Sequence, residues 1–270
     1  MSVLFGFIGV GNMGGALAKA AAKSTKDIWV TDYCVEKAER IRDLSDVEIS
    51  YNAEIAQNAK YIVLGVKPQM MAEVLGGIKD VLQKRDKDSF VLVSMAAGLS
   101  IDTIRSYAGG DYKVIRIMPN ILVEVGEGEI LYAKSGNTTY EELGRFLDNM
   151  QYAGELMPIN EDLMNAGCSL SGCGPAFVYM FIRALAQGGI DCGLNEETAI
   201  KLAAQTVKGA AKMLRESPLS PDVLIKNVCS PGGSTIEGVK SLEADQMEES
   251  VRKALAAAYK RNIELGKSNG

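Results

Sequence analysis

Residues 2–23 read SVLFGFIGVGNMGGALAKAAAK, and the fold turns on how this stretch is parsed. Val3 to Ile8 is apolar except for Gly6, the composition of a strand covered on both faces. Gly9, Gly11 and Gly14 follow in G-x-G-x-x-G spacing, directly after the strand and at the opening of a helix. Small residues on that helix (Gly15, Ala16, Ala18, Ala20, Ala21) allow it to lie close to a sheet. The spacing meets three physical demands of a dinucleotide: a tight turn, close backbone approach to the pyrophosphate, and free N–H groups at a helix start. A glycine-loosened turn with no ligand is the bland alternative. Asp32, at the end of the next strand, favours the nucleotide site.

Working outward, strand and helix alternate. DIWVTD ends a second strand at Asp32, VEKAERIRDL is helical, and a third brief strand closes at Ile49. Asn52 to Asn58 reads as a short helix, KYIVLGVKP as a strand stopped by Pro68, and residues 69–82 as a helix. DSFVLVSMAAG, SIDTIRSYA and YKVIRIMPN supply strand, helix and strand, with Ser100 as a helix cap. Continuous apolar strands with short connections specify an α/β, Rossmann-type doubly wound, mostly parallel sheet. GEGEILYA then reads as an antiparallel edge strand, residues 139–152 as a helix and GELMPI as a last strand.

From Glu161 onward the pattern is all helical. Two domains are expected: residues 1–160 for the dinucleotide and 161–270 for dimerisation and substrate. In the second, Asn195 and Ser220 are caps, Pro221 is a first helical residue, and Asp245 with Glu248 has capping-box spacing. The run after Gly174-Pro175 is apolar almost all round, which suits a core or a subunit interface.

Composition narrows the function. The 270 residues are 47% hydrophobic and 23% charged, with a net charge of -5, which argues against nucleic acid or an anionic membrane as partner. Five cysteines without zinc spacing, and no histidine, imply no metal site and a reduced, cytoplasmic chain. No apolar run reads as a signal peptide or a span. Any catalysis must proceed without an imidazole.

Asp32 is placed to accept the ribose hydroxyls of NAD and to repel a 2′-phosphate, so the reading leans to NADH. Thr31, Lys37 and Arg40 are the residues that would instead approach such a phosphate, and capping the next helix is the plain role for Asp32. Four strand ends share the ligand edge of the sheet: the glycine turn, Val66-Lys67-Pro68, Met95 to Gly98, and Met118-Pro119-Asn120. A second loop, VCSPGGSTIEGV at 228–239, runs into a helix. Ser234 and Glu237 have capping-box spacing, which starts the helix near Thr235. Gly232 and Gly233 would leave its amides open to a carboxylate. A plain helix corner is the bland reading of the same residues.

These segments together resemble the pyrroline-5-carboxylate reductase family. The resemblance covers nearly the whole chain: GFIGVGNMG, VKP, AAG, VIRIMPN, LSGCGPAF, AAQTVKGAAKML and, most specifically, VCSPGGSTIEG. It implies reduction of Δ1-pyrroline-5-carboxylate to L-proline by hydride from NADH or NADPH. It also implies cofactor contacts at Gly9, Gly11, Asn12, Met13, Gly14, Thr31, Asp32, Asn52, Val66, Lys67, Pro68, and Ala96, Ala97 and Gly98. Asn120 falls at the nicotinamide end, next to the substrate. The substrate carboxylate is expected at Ser230, Gly232, Gly233, Ser234 and Thr235, with Thr235 hydrogen-bonding the imine nitrogen. The family dimerises through its helical domain, and some members join five dimers into a decamer. Cys173 and Cys229 stand where the family usually has serine.

An electrophilic imine carbon explains the missing histidine, since orientation and a donor at nitrogen suffice. The rival β-hydroxyacid dehydrogenases need a lysine early in the helical half, yet Arg183 is the only basic residue between Glu161 and Gly193. A different imine reductase and a non-catalytic NAD(P)-binding dimer are further rivals.

Overall fold

A computed structural model describes residues 3–269. The first strands and helices alternate as β1 (Val3–Ile8), α1 (Asn12–Ala21), β2 (Ile28–Thr31), α2 (Val35–Ser45), β3 (Glu48–Ile49), α3 (Asn52–Asn58) and β4 (Ala59–Leu64). A 3-10 turn, Pro68–Met70, then leads into α4 (Met71–Lys84), β5 (Val91–Ser94), α5 (Ile101–Ala108) and β6 (Val114–Pro119). β7 (Gly128–Lys134), α6 (Tyr140–Met150) and β8 (Gly154–Pro158) complete one eight-stranded sheet in the order β3-β2-β1-β4-β5-β6-β7-β8. Among the described residues only the β6–β7 pairing is antiparallel. β7 is not the edge that its sequence suggests, because β8 pairs along it in parallel register from Gly128↔Gly154 and takes that place. Gly154 makes this possible at φ 132, with no side chain against the Gly128 backbone.

Alternate strand residues feed two cores, which is why the strands carry almost no polar positions. Phe5, Phe7, Tyr61 and Val93 pack with α1, α2 and α6. Ile8, Ile62, Leu64 and Leu92 pack with α3, α4 and α5. Phe5 and Tyr61 stack at 5.1 Å, and Phe146 of α6 lies 5.7 Å from Tyr61. The Tyr61 hydroxyl escapes this apolar layer by donating to the Glu142 carbonyl at 2.6 Å, and burial pushes its pKa up to about 12. α6 begins with a full capping box, Thr139 with Glu142. The Glu142 carboxylate also accepts from Lys60 at 2.6 Å and from Lys113 at 3.0 Å.

Beyond β8 every described element is helical. A 3-10 turn at Glu161–Leu163 leads to α7 (Met164–Gly167), a π-turn (Cys168–Gly172) and α8 (Gly174–Asp191). α9 (Glu196–Glu216), α10 (Pro221–Val228), α11 (Ser234–Ala244) and α12 (Met247–Asn269) follow. The kink expected around Gly172 to Pro175 takes the form of the π-turn, where the Cys173 amide reaches the Cys168 carbonyl at 3.2 Å. Ser169 and Ser171 hydroxyls bond back to the carbonyls of Asn165 and Gly167, competing with the helical amides and loosening the ladder there. Asn195 and Ser220 cap α9 and α10 as expected. The Asp245–Glu248 box does not form. Asp245 ends α11, and α12 begins after Gln246, whose φ of 54 breaks the chain direction.

The chain divides into two compact units, Met1–Cys173 with Ala258–Gly270, and Gly174–Ala257. In the second, the buried apolar residues are Ala186, Ala199 and Ala203, where α8 meets α9. Larger side chains of α8, including Val178, Tyr179, Met180 and Phe181, are exposed in the single chain. By length and a mean hydropathy of 1.3, the run Glu161–Asp191 would suffice to cross a membrane. Its exposed apolar face equally suits another protein surface.

Candidate functional site

The turn between β1 and α1 is built on backbone that side chains could not enter. Gly9 has φ +92, and a Cβ on it would lie 2.8 Å from Gly65. A Cβ on Gly14 or on Gly65 would collide with the Gly9 carbonyl. At Gly11, by contrast, a Cβ would meet nothing within 4 Å, so this backbone is open to a ligand. α1 has no side-chain cap, and its first amides are available to an anion. The turn opens on a groove of about 850 Å³ along the carboxyl ends of β1, β2 and β4. Volume, open glycine and bare helix end fit a dinucleotide.

Gly9, Gly11, Thr31, Asp32, Asn52, Val66 and Lys67 all line this groove. Asn12 and Met13 open α1, with Met13 packed against the core, and Pro68 starts the next 3-10 turn. Tyr33, Tyr51 and Gly65 also line the groove, and sequence reasoning misses all three. Gly65 carries the clearest signal, a glycine between a buried strand and Lys67-Pro68. Tyr33 and Tyr51 follow strand ends, where an exposed aromatic is unremarkable in a sequence.

Asp32 does more than face this groove. One carboxylate oxygen accepts from the Val10 amide at 2.8 Å and the other from the Cys34 amide at 3.0 Å, with Lys37 Nζ 3.9 Å away. Only 11% of the side chain is exposed. The carboxylate therefore braces the glycine turn against the start of α2, and Lys37 offsets its charge.

Ala96, Ala97 and Gly98 lie at the carboxyl end of β5, outside that groove. Ala96 is buried, Ala97 packs beside Met118 and Met164, and Gly98 has φ +80. Asn120, after β6, is buried and both ends of its side-chain amide are hydrogen-bonded. Its oxygen accepts from the Leu122 and Glu129 amides at 3.2 Å each, and its nitrogen donates to the Ser171 carbonyl at 3.0 Å. The side chain so placed holds the π-turn to the end of β6. Glu161 adds a second fastening that the sequence does not reveal, accepting from the Ile101 amide at 2.8 Å and from Arg116 at 3.0 Å.

The remaining expected site residues belong to the second unit. Gly232 has φ +73, and the Gly233 amide bonds back to the Ser230 carbonyl at 3.0 Å, turning the chain into α11. The Ser234–Glu237 box is not formed. Gly233 is the N-cap, Ser234 is already helical, and Glu237 pairs with Lys240 at 2.8 Å one turn on. A lysine three residues away offers the carboxylate a charge that a backbone amide does not. The result is a barer helix start than the sequence implies, because α11 has no side-chain cap at all. Ser230, Gly232, Ser234 and Thr235 are exposed.

Comparison with known proteins assigns both halves. Residues 161–265 match the family model described as pyrroline-5-carboxylate reductase dimerisation. Residues 4–98 match the one described as NADP oxidoreductase coenzyme F420-dependent. The chain is 37% identical over 245 residues to the pyrroline-5-carboxylate reductase of Aquifex aeolicus, covering 90% of each. A Plasmodium falciparum pyrroline carboxylate reductase solved with NADP bound is similar at TM-score 0.84 and 31% identity, over 98% of both chains. The pyrroline-5-carboxylate reductase structure from Coxiella burnetii gives TM-score 0.89 at 30% identity, over 98% of this chain and 99% of that one. The exposed face of α8 lies within the stretch matched to the dimerisation model. On motif, architecture and identity along almost its entire length, the chain belongs to the pyrroline-5-carboxylate reductase family.

Proposed function

We propose that this chain reduces Δ1-pyrroline-5-carboxylate to L-proline with hydride from NAD(P)H. The observation that carries the reading is the uncapped start of α11 at Gly233–Thr235, an anion site suited to a small carboxylate. Gly9, Gly11 and the uncapped first amides of α1 would hold the dinucleotide in this groove. When bound, NAD(P)H supplies the hydride. The substrate carboxylate takes the amides from Gly233 onward, with Ser230 and Ser234 as hydroxyl donors. As hydride reaches the imine carbon, the C=N electron pair moves to nitrogen, where the Thr235 hydroxyl hydrogen-bonds it. The proton on nitrogen comes from solvent. No group of the chain must be a strong base, consistent with a sequence that lacks histidine.

Steady-state oxidation of NADH and of NADPH, with this imine beside piperideine-2-carboxylate and pyrroline-2-carboxylate, tests the reading. The highest kcat/KM is expected with pyrroline-5-carboxylate. Tight nucleotide binding without oxidation would overturn it and favour a non-catalytic binder.

Coenzyme choice does not rest on Asp32. With both oxygens bound to amides and Lys37 beside it, the carboxylate gives no strong reason to exclude a 2′-phosphate, so the tilt toward NADH loses its basis. Asp32→Ser should lower stability by about 1–3 kcal/mol, as two amides lose their acceptor. The NADH/NADPH ratio of kcat/KM should change less than about threefold; a tenfold fall would restore Asp32 as the selector.

The working form is a homodimer in the cytoplasm. The small alanine core of the second unit supports a partner surface, and the five free thiols suit a reducing compartment. Light scattering reads the assembly directly: a dimer is expected, and a decamer would show five dimers joined.

A further inference from the structure

We infer that the last turns of α12 form an intrachain clasp that positions the nicotinamide half of the cofactor site, with Asn262 as its positioning residue. What is positioned rests on the NAD(P)H reading above; the clasp itself rests on geometry. Ser169 is fully buried inside the π-turn. Its hydroxyl donates to the Asn165 carbonyl at 2.7 Å and accepts from Asn262 Nδ2 at 2.8 Å, across 93 residues of sequence. One turn further along α12, Gly266 lies against Gly98 backbone to backbone. A Cβ on Gly98 would stand 2.6 Å from the Gly266 Cα. Residues four apart share one face of a helix. One face of α12 therefore grips both the π-turn and the Ala96–Gly98 turn.

These two segments are the far walls of the ligand edge. The glycine groove runs along β1, β2 and β4, whereas the Ala96–Gly98 turn ends β5, and Asn120 fastens the π-turn to the end of β6. In a doubly wound sheet the pyrophosphate lies at the strand-order reversal beside β1, and the two nucleosides extend to opposite sides. The walls held by α12 thus flank the nicotinamide side, leaving the adenosine side to the glycine groove along β1, β2 and β4. A loosened clasp should spare the adenosine half and disturb the half that delivers hydride. General loss of packing would weaken both.

The test uses the full-length protein with Asn262→Ala, Ser169→Ala and the double variant. It measures Kd for ADP-ribose and for NADP+ by calorimetry, and kcat with NADPH. For Asn262→Ala, ADP-ribose affinity should stay within about twofold, NADP+ affinity should fall three- to tenfold, and kcat should fall about tenfold. The double variant should lose no more than the worse single one, because both remove the same contact. Ser169→Ala carries the same readouts should Asn262→Ala not fold. Equal losses of ADP-ribose and NADP+ binding, unchanged NADP+ binding, or additive losses would overturn the clasp. If the wild-type protein binds NADP+ but does not reduce the imine, the catalytic reading fails, while the two binding constants still decide the clasp.

Discussion

Thr235→Ala is expected to lower kcat for imine reduction about 100-fold while Kd for NADP+ stays within about twofold. Thr235 is the second residue of α11, exposed, beside an uncapped amide end. Its proposed bond to nitrogen strengthens as the C=N electron pair arrives there, so the loss falls on the transition state more than on binding. Removing one such donor from an active site typically costs 10²–10³ in kcat, about 3–4 kcal/mol. Thr235→Ser keeps the hydroxyl and should retain most of the rate. Single-turnover measurement of NADPH oxidation separates this step from product release, and an unchanged rate in Thr235→Ala would remove the residue from catalysis.

Glu142→Gln should destabilise the sheet-bearing unit by about 3 kcal/mol at neutral pH, and most of that difference should vanish in acid. Glu142 and Lys113 are both buried, at 8% and 6% exposure. The carboxylate holds Lys60, Lys113 and the Thr139 amide, while Asp88 offers Lys113 a second, more exposed partner at 3.2 Å. Removing one member of a buried ion pair costs about 3–5 kcal/mol, because the other charge stays behind. Burial by itself would raise the Glu142 pKa, but Lys60, the Thr139 amide and Lys113 bring it down to about 2. A depressed carboxyl stabilises the fold fully above its unfolded pKa near 4.5 and loses that contribution as pH falls toward about 2. Urea titrations at pH 7 and pH 3 read both effects. Equal denaturation midpoints for the variant and the parent at pH 7 would mean that Asp88 alone satisfies Lys113.

The alternation of strand and helix is plain in the sequence because β1, β4, β5 and β6 are buried on both faces and tolerate almost no polar residue. The glycine turn is equally plain, since no other residue fits against the Gly9 carbonyl. What stays hidden is set by distant partners. The acceptor role of Asp32 depends on an amide 22 residues away. Asn120 reads as the end of a strand, yet its amide reaches residue 171. Asn262 reads as one more polar residue on a helix, and nothing local marks its contact with Ser169. The Ser234–Glu237 spacing misleads because capping and the Lys240 ion pair compete for one carboxylate, and spacing does not rank them. β7 passes for an edge because the strand that pairs on its second side comes only after an intervening helix.

Three alanines are a meagre shelter for a bundle of helices in water. An apolar interior of that size falls well short of offsetting the chain entropy of more than eighty ordered residues. Melting of α8 and α9 is then tied to mass action: dilution alone lowers the temperature at which they unravel, and any ligand that favours the paired state raises it. For this smaller unit, folding is expected to depend on finding a partner.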